Sequence, residues 1–366
     1  MTNDKKFLAT IPEIIEEAKQ GKMFILVDDE GRENEGDLVI PAAMCDDQKV
    51  NFMAKFGRGL ICLTLTEERV RELNLPLMSL NNQARHQTAF TVSIEAREGI
   101  STGISAFDRA KTIAAAIDPK QGKEALVSPG HIFPLKAEKG GVLVRAGHTE
   151  AATDIATLAG LNPSGVICEI MNDDGSMARM PDLIKFAKLH KMKIATIADL
   201  IEYRRKNEKL IEVKERGKFI SKHGEFDLTI YKSKVDGVEH IALSKGKISK
   251  GTPTLVRMHH LNIFSDCLED IENPKTGSLL KALKKIAKSE SGVIVVIRQP
   301  NEAITHLLAG AQNQPKNKEQ ELRNYGTGAQ ILSDLGVTDM VLLTNSKKSV
   351  IGLDGYKLKI CGYKKL

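Results

Sequence analysis

The first half of the chain combines apolar residues at helical spacing with short runs that are apolar throughout. Residues 11–20 carry apolar side chains every three or four positions, with Thr10 as the predicted N-cap and Gly21 as the predicted stop. The run 23–27 predicts a buried strand. By the same criteria, strands are predicted at 60–65, 165–171 and 193–197, and helices at 108–117, 150–159 and 181–190. The stretch 89–96 predicts a further strand, because apolar and polar residues, Glu95 among the latter, alternate along it. This mixture predicts an α/β (α+β) domain, a mixed sheet layered between helices, that ends near residue 205.

The second half has a different pattern. The stretch 203–218 is dense in charge and is predicted to be a linker. Beyond it, strands are predicted at 226–233, 240–246, 252–260 and 293–297, a Lys-rich helix at 279–289, and an exposed polar loop at 311–321. A second α/β domain over 206–366 follows from this pattern.

Composition and charge agree with two folded domains. The chain has 366 residues, 42% of them hydrophobic and 27% charged, which is typical of globular proteins. Up to residue 205 there are 26 Lys and Arg against 29 Asp and Glu, and beyond it 27 against 18, so the two halves differ in sign. The lysines of the basic half are scattered, and the chain is only 4% aromatic with no Trp. An extended nucleic-acid surface is therefore not expected.

The cysteines and the N-terminus predict a cytoplasmic location. Five cysteines stand at wide spacings without a CxxC pair, which favours reduced thiols over disulfides or a structural zinc site. The N-terminal segment lacks the apolar stretch of a signal peptide, and the longest apolar runs are too short to span a membrane. We expect a soluble protein with no membrane partner.

One turn concentrates negative charge. Residues 28–37 read DDEGRENEGD and contain six carboxylates. Like charges at this density repel, and either full solvation or a bound cation offsets the repulsion. The turn follows a buried strand, where α/β proteins gather their sites, and this favours a cation such as Mg²⁺. Arg32, inside the turn, could hold an anion beside the metal.

Two histidines stand in glycine-flanked turns. His131 follows Pro129-Gly130, and His148 comes just before a predicted helix with Thr149 as its candidate N-cap. With Arg145 nearby, that helix start could hold a phosphate, although a lone histidine is more often a core or surface residue. Glu169 lies in an apolar strand, where a carboxylate either faces solvent or serves acid–base chemistry.

Five ordered motifs carry a family resemblance. They are VDDEGRENEGDLVIPA, STGISAFDRAKTI, SPGHIFPL, RAGHTEAATDIATLAG and GVICEIMNDDGSMAR. Over roughly 7–205 the chain resembles 3,4-dihydroxy-2-butanone 4-phosphate synthases. The resemblance implies conversion of ribulose 5-phosphate to the four-carbon phosphate plus formate, dependence on Mg²⁺ or Mn²⁺, and a homodimer formed by the N-terminal domain with active sites near its interface.

The resemblance also assigns roles to residues. Glu33 and His148 would be the metal ligands, and His131 and Glu169 would be essential to catalysis. The substrate would contact Arg32, Glu33, Asp37, Thr102, Arg145, Ala146, Gly147, His148, Thr149 and Glu169. A ketose substrate needs a proton removed next to its carbonyl, and Asp37 and Glu169 are the candidates for base and acid.

The second half resembles GTP cyclohydrolase II, the usual fusion partner of such synthases, on the stretch 323–360. Active members hold zinc with three cysteines, but Asn262 stands where the first is expected and only Cys267 is nearby. The adjacent His259 and His260 point to opposite faces of a strand, and a catalytic RQEGRG segment is replaced by 297–303. We therefore expect a degenerate, zinc-free domain. The alternatives are a second activity on GTP, or a module that binds a regulatory ligand or a partner.

Overall fold

The computed structural model describes residues 7–79, 81–299, 318–345 and 358–366, without the side chains of 318–325. The chain divides into two compact units, Met1–Arg204 and Arg205–Leu366. No helix among the described residues is both long enough and apolar enough to cross a bilayer. The segment 300–303 of the replaced catalytic motif and residues 311–317 of the predicted polar loop lie outside the described residues.

The first unit is built on a seven-stranded mixed sheet with the order β4-β5-β3-β6-β2-β1-β7. Its strands are β1 Phe24–Val27, β2 Gly36–Pro41, β3 Cys62–Leu65, β4 Ile94–Ala96, β5 Leu126–Lys136, β6 Ser164–Glu169 and β7 Ile194–Thr196. The pairs β1/β7 and β3/β5 are parallel, and the remaining pairs are antiparallel. Strand residues alternate between two cores: Ile25 packs into one and Leu26 into the other.

Helices cover both faces of this sheet. They are α1 Ile11–Lys19, α2 Asp47–Phe52, α3 Glu67–Glu72, α4 Ala106–Ile117, α5 His148–Leu158, α6 Met180–His190 and α7 Ile197–Asn207. The core on one face contains residues of α1, α5 and α7, and the core on the other contains residues of α2, α3, α4 and α6. The layered α-β-α prediction is confirmed. Thr10 is the N-cap of α1, and its N–H donates to Glu13 Oε2 at 2.9 Å.

The second unit has its own seven-stranded sheet, in the order β14-β13-β11-β12-β10-β9-β8. The strands are β8 Ile211–Ser221, β9 Gly224–Ser233, β10 Glu239–Lys245, β11 Thr254–His260, β12 Gly292–Ile297, β13 Asp339–Leu343 and β14 Lys359–Lys364. The described helices are α8 Ile263–Asp266, α9 Ser278–Ala287 and α10 Lys318–Asp334. Strands β8 to β10 and β12 pair antiparallel, whereas β11 to β14 form the parallel part. Two cores, one on each face, make this unit α/β as well.

Three sequence predictions are wrong at this level. The stretch 203–218 is not a linker, because it completes α7 and forms most of β8, an edge strand whose charged side chains face solvent. The strand predicted over 89–96 is regular only over Ile94–Ala96. From residue 318 the predicted polar loop is helical.

Candidate active site

The acidic turn connects β1 to β2 and is organised by a buried carboxylate, Asp28. Its oxygens accept hydrogen bonds from the N–H of Glu33 at 3.2 Å and of Glu35 at 2.8 Å. Arg32 Nη1 lies 2.8 Å from Asp28 Oδ2 and 2.5 Å from Glu33 Oε2. These contacts hold several of the carboxylates in one turn despite their mutual repulsion.

A possible metal site forms where this turn meets the start of α5. One ligand atom each from Asp28, Glu33 and His148 lies within 4.8 Å of the others. His148 is buried, and its Nε2 donates to the carbonyl of Leu26 at 3.1 Å, which leaves the lone pair on Nδ1. A backbone partner on one ring nitrogen is the usual arrangement for a metal-binding histidine.

The chemistry of this donor set fits a divalent cation. Burial lowers the pKa of His148, which favours the neutral imidazole that binds metals. Two carboxylates and one imidazole are donors that Mg²⁺ and Mn²⁺ accept, with other positions left for water or substrate oxygens. The structure thus brings the two predicted ligands, Glu33 and His148, together and adds Asp28.

Two further carboxyl groups stand beside this cluster. Asp37 on β2 and Glu169 on β6 are direct partners across the two strands. Burial raises the pKa of Asp37 well above its usual value, and the neighbouring Glu169 and Glu33 raise it further. Burial also raises the pKa of Glu169, whose Oε2 accepts from Leu60 N–H at 2.8 Å. A carboxyl pair that keeps a proton at unusually high pH suits acid–base work.

His131 lies in β5, not in the predicted turn. The pairing of β4 with β5 jumps from Ile94–Ile132 to Glu95–Val127, so residues 128–131 form a bulge in the strand. The sheet order places β5 two strands from β6, a separation of about 10 Å.

His131 nevertheless lies on the same face of the sheet as Asp37 and Glu169. Phe133 and Leu135, two and four residues after His131, pack on the α1/α5 face. Ile167, two residues before Glu169, packs on that face too, as does Val39, two residues after Asp37. Alternation along β2 and β6 therefore places Asp37 and Glu169 on one face. His131 lies on that face too, because it contacts Glu95, whose neighbours Ile94 and Ala96 pack into the core on the opposite face. Among the described residues, no contact joins His131 to the other two.

The arginine of the RAGHT segment, Arg145, is oriented by an ion pair and two hydrogen bonds. Arg145 Nη1 lies 2.6 Å from Oε2 of the fully buried Glu150, and Nη2 donates to the carbonyl of His86 and to Thr88 Oγ1. Gly147, not Thr149, is the N-cap of α5. A Cβ at Gly147 would lie 2.5 Å from Arg145 Nη1, so a side chain there would displace the guanidinium.

The loop that carries Thr102 is held by hydrogen bonds to one carboxylate. Ser101 N–H and Oγ and Gly103 N–H all donate to the carboxylate of Asp108 in α4. Thr102 itself is exposed. The loop therefore presents Thr102 to solvent at a defined place.

Sequence reasoning missed three residues of this region. Asp28 was visible only as one of six carboxylates, and Glu95, which contacts His131 Nδ1, only as a charge in an alternating strand. Arg179 stood at the end of the fifth motif without a role. Its Nη1 donates to the carbonyls of Glu33, at 2.6 Å, and of Asn34.

In the second unit, the residues at the positions where the resemblance places zinc ligands make other contacts. Asn262 Oδ1 caps α8 by accepting from Phe264 and Ser265 N–H. Buried His259 bonds through Nε2 to Asp266 Oδ2 at 2.8 Å, and Cys267 is exposed. Among the described residues of this unit, no three His, Cys, Asp or Glu side chains converge as a metal site.

Comparison with known proteins matches both units to families. Residues 12–203 match the family model for 3,4-dihydroxy-2-butanone 4-phosphate synthase, and residues 212–365 match that for GTP cyclohydrolase II. A 3,4-dihydroxy-2-butanone 4-phosphate synthase of Photobacterium phosphoreum is 48% identical over 97% of this chain and 99% of its own length. One of Neisseria meningitidis is 47% identical over 97% of this chain and 98% of its own length.

Solved structures of the same family are similar to this chain. RibBX, a two-domain 3,4-dihydroxy-2-butanone 4-phosphate synthase from A. baumannii, matches with a TM-score of 0.78 and 41% identity, covering 98% of this chain and 99% of that one. A 3,4-dihydroxy-2-butanone 4-phosphate synthase in complex with two magnesium ions matches with a TM-score of 0.53 and 38% identity, covering 55% of this chain and 98% of that one.

Proposed function

The chain belongs to the 3,4-dihydroxy-2-butanone 4-phosphate synthase family of riboflavin biosynthesis, and we propose that it uses Mg²⁺ or Mn²⁺ held by Glu33 and His148. The substrate is ribulose 5-phosphate, and the products are 3,4-dihydroxy-2-butanone 4-phosphate and formate. The convergence of Asp28, Glu33 and His148 beside the Asp37–Glu169 pair carries the proposal. The relative solved with two magnesium ions supports it.

Some residues of the site would bind the metal, and others would transfer protons. A divalent cation at this site supplies positive charge that stabilises negative charge developing on substrate oxygens. The carbonyl of Leu26 orients the ring of His148 so that the lone pair of Nδ1 can bind the metal. Asp28 holds the turn that carries Glu33. Asp37 and Glu169 serve as base and acid: the ionised carboxylate of the pair removes the proton next to the carbonyl, and its protonated partner returns protons to oxygen in the later steps. His131, on the same face, is the third group essential to catalysis.

The substrate contacts are also part of the proposal. Arg32 lies in the acidic turn, and Asp37 follows this turn in β2. Residues 145–149 lead into the N-terminus of α5. A helix N-terminus offers free N–H groups and partial positive charge to a phosphate. Thr102, on the loop fixed by Asp108, closes over the bound substrate.

A homodimer through the first unit completes the proposal. Ile104 and Phe107, next to the Thr102 loop, are 54% and 62% exposed, which is unfavourable for apolar side chains left in water. A second copy that covers them would enclose the site. Analytical ultracentrifugation of the intact protein checks this, and a monomer at all concentrations contradicts it. The five free cysteines support a reducing compartment, the cytoplasm.

We assign residues 1–205 to the synthase domain and 206–366 to a degenerate cyclohydrolase II-like domain without catalytic zinc. The cap role of Asn262 and the exposure of Cys267 support this assignment. Purified protein supplied with Zn²⁺ and GTP should leave GTP unchanged. GTP consumption would establish the bifunctional alternative. A change in synthase rate on adding a nucleotide would instead indicate a regulatory module.

Formate release from ribulose 5-phosphate tests the synthase site. Chelation should abolish it, and Glu33→Gln or His148→Gln should lower the rate roughly 100-fold or more, with weaker Mn²⁺ binding. Glu30→Gln is the matched control, because Glu30 is an exposed carboxylate of the same turn. Normal activity and normal Mn²⁺ binding in both ligand variants would contradict the metal assignment.

A further inference from the structure

The bulge in β5 brings His131 to a carboxylate from the neighbouring strand. Residues 128–131 leave the regular pairing opposite Glu95. Ser128 Oγ donates to the carbonyl of Ser93 at 2.7 Å, and Gly130 N–H donates to Ser93 Oγ at 3.1 Å. The bulge is therefore bonded to Ser93, the residue before β4 and two residues before Glu95.

Glycine at position 130 is required by this arrangement. A Cβ there would lie 2.1 Å from the carbonyl oxygen of Ile94 and 2.6 Å from the N atom of Glu95. Any side chain would push the bulge away from β4. The close approach of the two backbones is what carries the imidazole of His131 to the carboxylate of Glu95.

The carboxylate of Glu95 is covered by a neighbouring loop. Gly103, in the loop that carries Thr102, passes directly over it, and a Cβ at Gly103 would overlap Glu95 Oε1. The side chain of Glu95 is only 16% exposed, although that of His131 is 42% exposed. The pair thus combines a covered carboxylate with an imidazole ring that solvent or a substrate can reach.

From this geometry we propose that Glu95 is a positioning residue for His131. Its carboxylate accepts the proton of Nδ1, so the neutral ring carries its lone pair on Nε2. In that tautomer Nε2 is the atom that exchanges protons with the substrate. Among the described residues, Nε2 of His131 makes no hydrogen bond, which leaves it available for this purpose.

The physical reason is the same as in other carboxylate–histidine pairs. A carboxylate bonded to one ring nitrogen selects the tautomer and orientation of the imidazole, and replacing it by an amide can lower turnover by orders of magnitude through the wrong tautomer. The inference rests on the proposed catalytic role of His131, but its first consequence, the position of the ring proton, is independent of activity.

The first test reads that proton directly. In protein labelled with ¹⁵N-histidine, the two ring nitrogens of His131, assigned with a His131→Gln variant, should show the proton on Nδ1. Glu95→Leu should shift it towards Nε2. A proton on Nε2 in the unchanged protein would overturn the proposal, whether or not the protein releases formate.

The second test separates positioning from folding and from binding. Glu95→Gln and Glu95→Leu should lower kcat by at least about tenfold, with KM for ribulose 5-phosphate within about twofold and an unchanged melting temperature. Glu98→Gln, which removes an exposed carboxylate three residues away, should leave kcat unchanged. Retention of full kcat by both Glu95 variants, or a loss explained by unfolding alone, would overturn the proposal. Absence of formate release in the unchanged protein would refute the proposed function instead.

Discussion

Buried groups of single residues hold the side chains of the proposed metal site in place. Asp28 satisfies two backbone N–H groups and one guanidinium, so one carboxylate determines the shape of a turn that carries several others. The carbonyl of Leu26 determines which nitrogen of His148 is free. At the scale of the residue, the proposed site is therefore pre-organised by hydrogen-bond partners of Glu33 and His148.

Asp28→Asn tests this role in the absence of metal. The amide cannot pair with the charge of Arg32, whose side chain is 16% exposed, so unfolding should become easier by about 1–3 kcal/mol. Asp29→Asn changes an exposed carboxylate that, within the described parts of the chain, accepts only from Gly31 N–H, and should cost much less. Urea denaturation in the presence of a chelator measures both. Equal stabilities would contradict the role assigned to Asp28.

At the scale of elements, the turn between β1 and β2 depends on a helix distant in sequence. Arg179 is the N-cap of α6, and its guanidinium donates to two successive carbonyls of the turn. Asn34, the second of them, has a positive φ of 55°, a conformation that needs support in a residue other than glycine. The helix start thus holds the turn that presents Glu33.

Arg179→Gln should loosen this turn and weaken metal binding. We expect Mn²⁺ affinity to fall roughly tenfold, the order seen when groups that orient metal ligands are removed, with a smaller loss in melting temperature. Isothermal titration calorimetry with Mn²⁺ measures the affinity. Lys185→Gln, which removes an exposed positive charge from the same helix, is the control. Equal affinities in the two variants would show that the helix does not support the turn.

At the scale of the molecule, each unit has its own sheet and its own cores. The proposed catalytic and metal-binding residues all belong to the first unit. The relative with two magnesium ions is covered over 98% of its length by 55% of this chain, so a protein of roughly that extent forms a complete structure.

A protein truncated after Asn207, at the end of α7, should therefore fold and release formate at a rate within about twofold of the intact chain. The parallel measurement on the intact protein, with dimerisation followed in both, is the control. A large loss of rate in a folded, dimeric truncated protein would assign the second unit a part in catalysis.

The sequence by itself determined the family and many, though not all, of the helices and strands. Continuous apolar runs identified β1, β6 and β12, and helical spacing with Thr10 identified α1, because burial imposes these local patterns directly. Ordered motifs identified the synthase family and singled out Glu33 and His148. The charge density of 203–218 led to the wrong prediction of a linker, because a solvated edge strand can have the same composition as a linker.

The tertiary structure alone decided which residues meet. Asp37 and Glu169 are 132 positions apart, and only the antiparallel register of β2 and β6 pairs them. The bulge in β5 brings Glu95 to His131, and α6 brings Arg179 to the acidic turn. Local periodicity specifies which face a side chain occupies, but strand order and register depend on packing across the whole sheet.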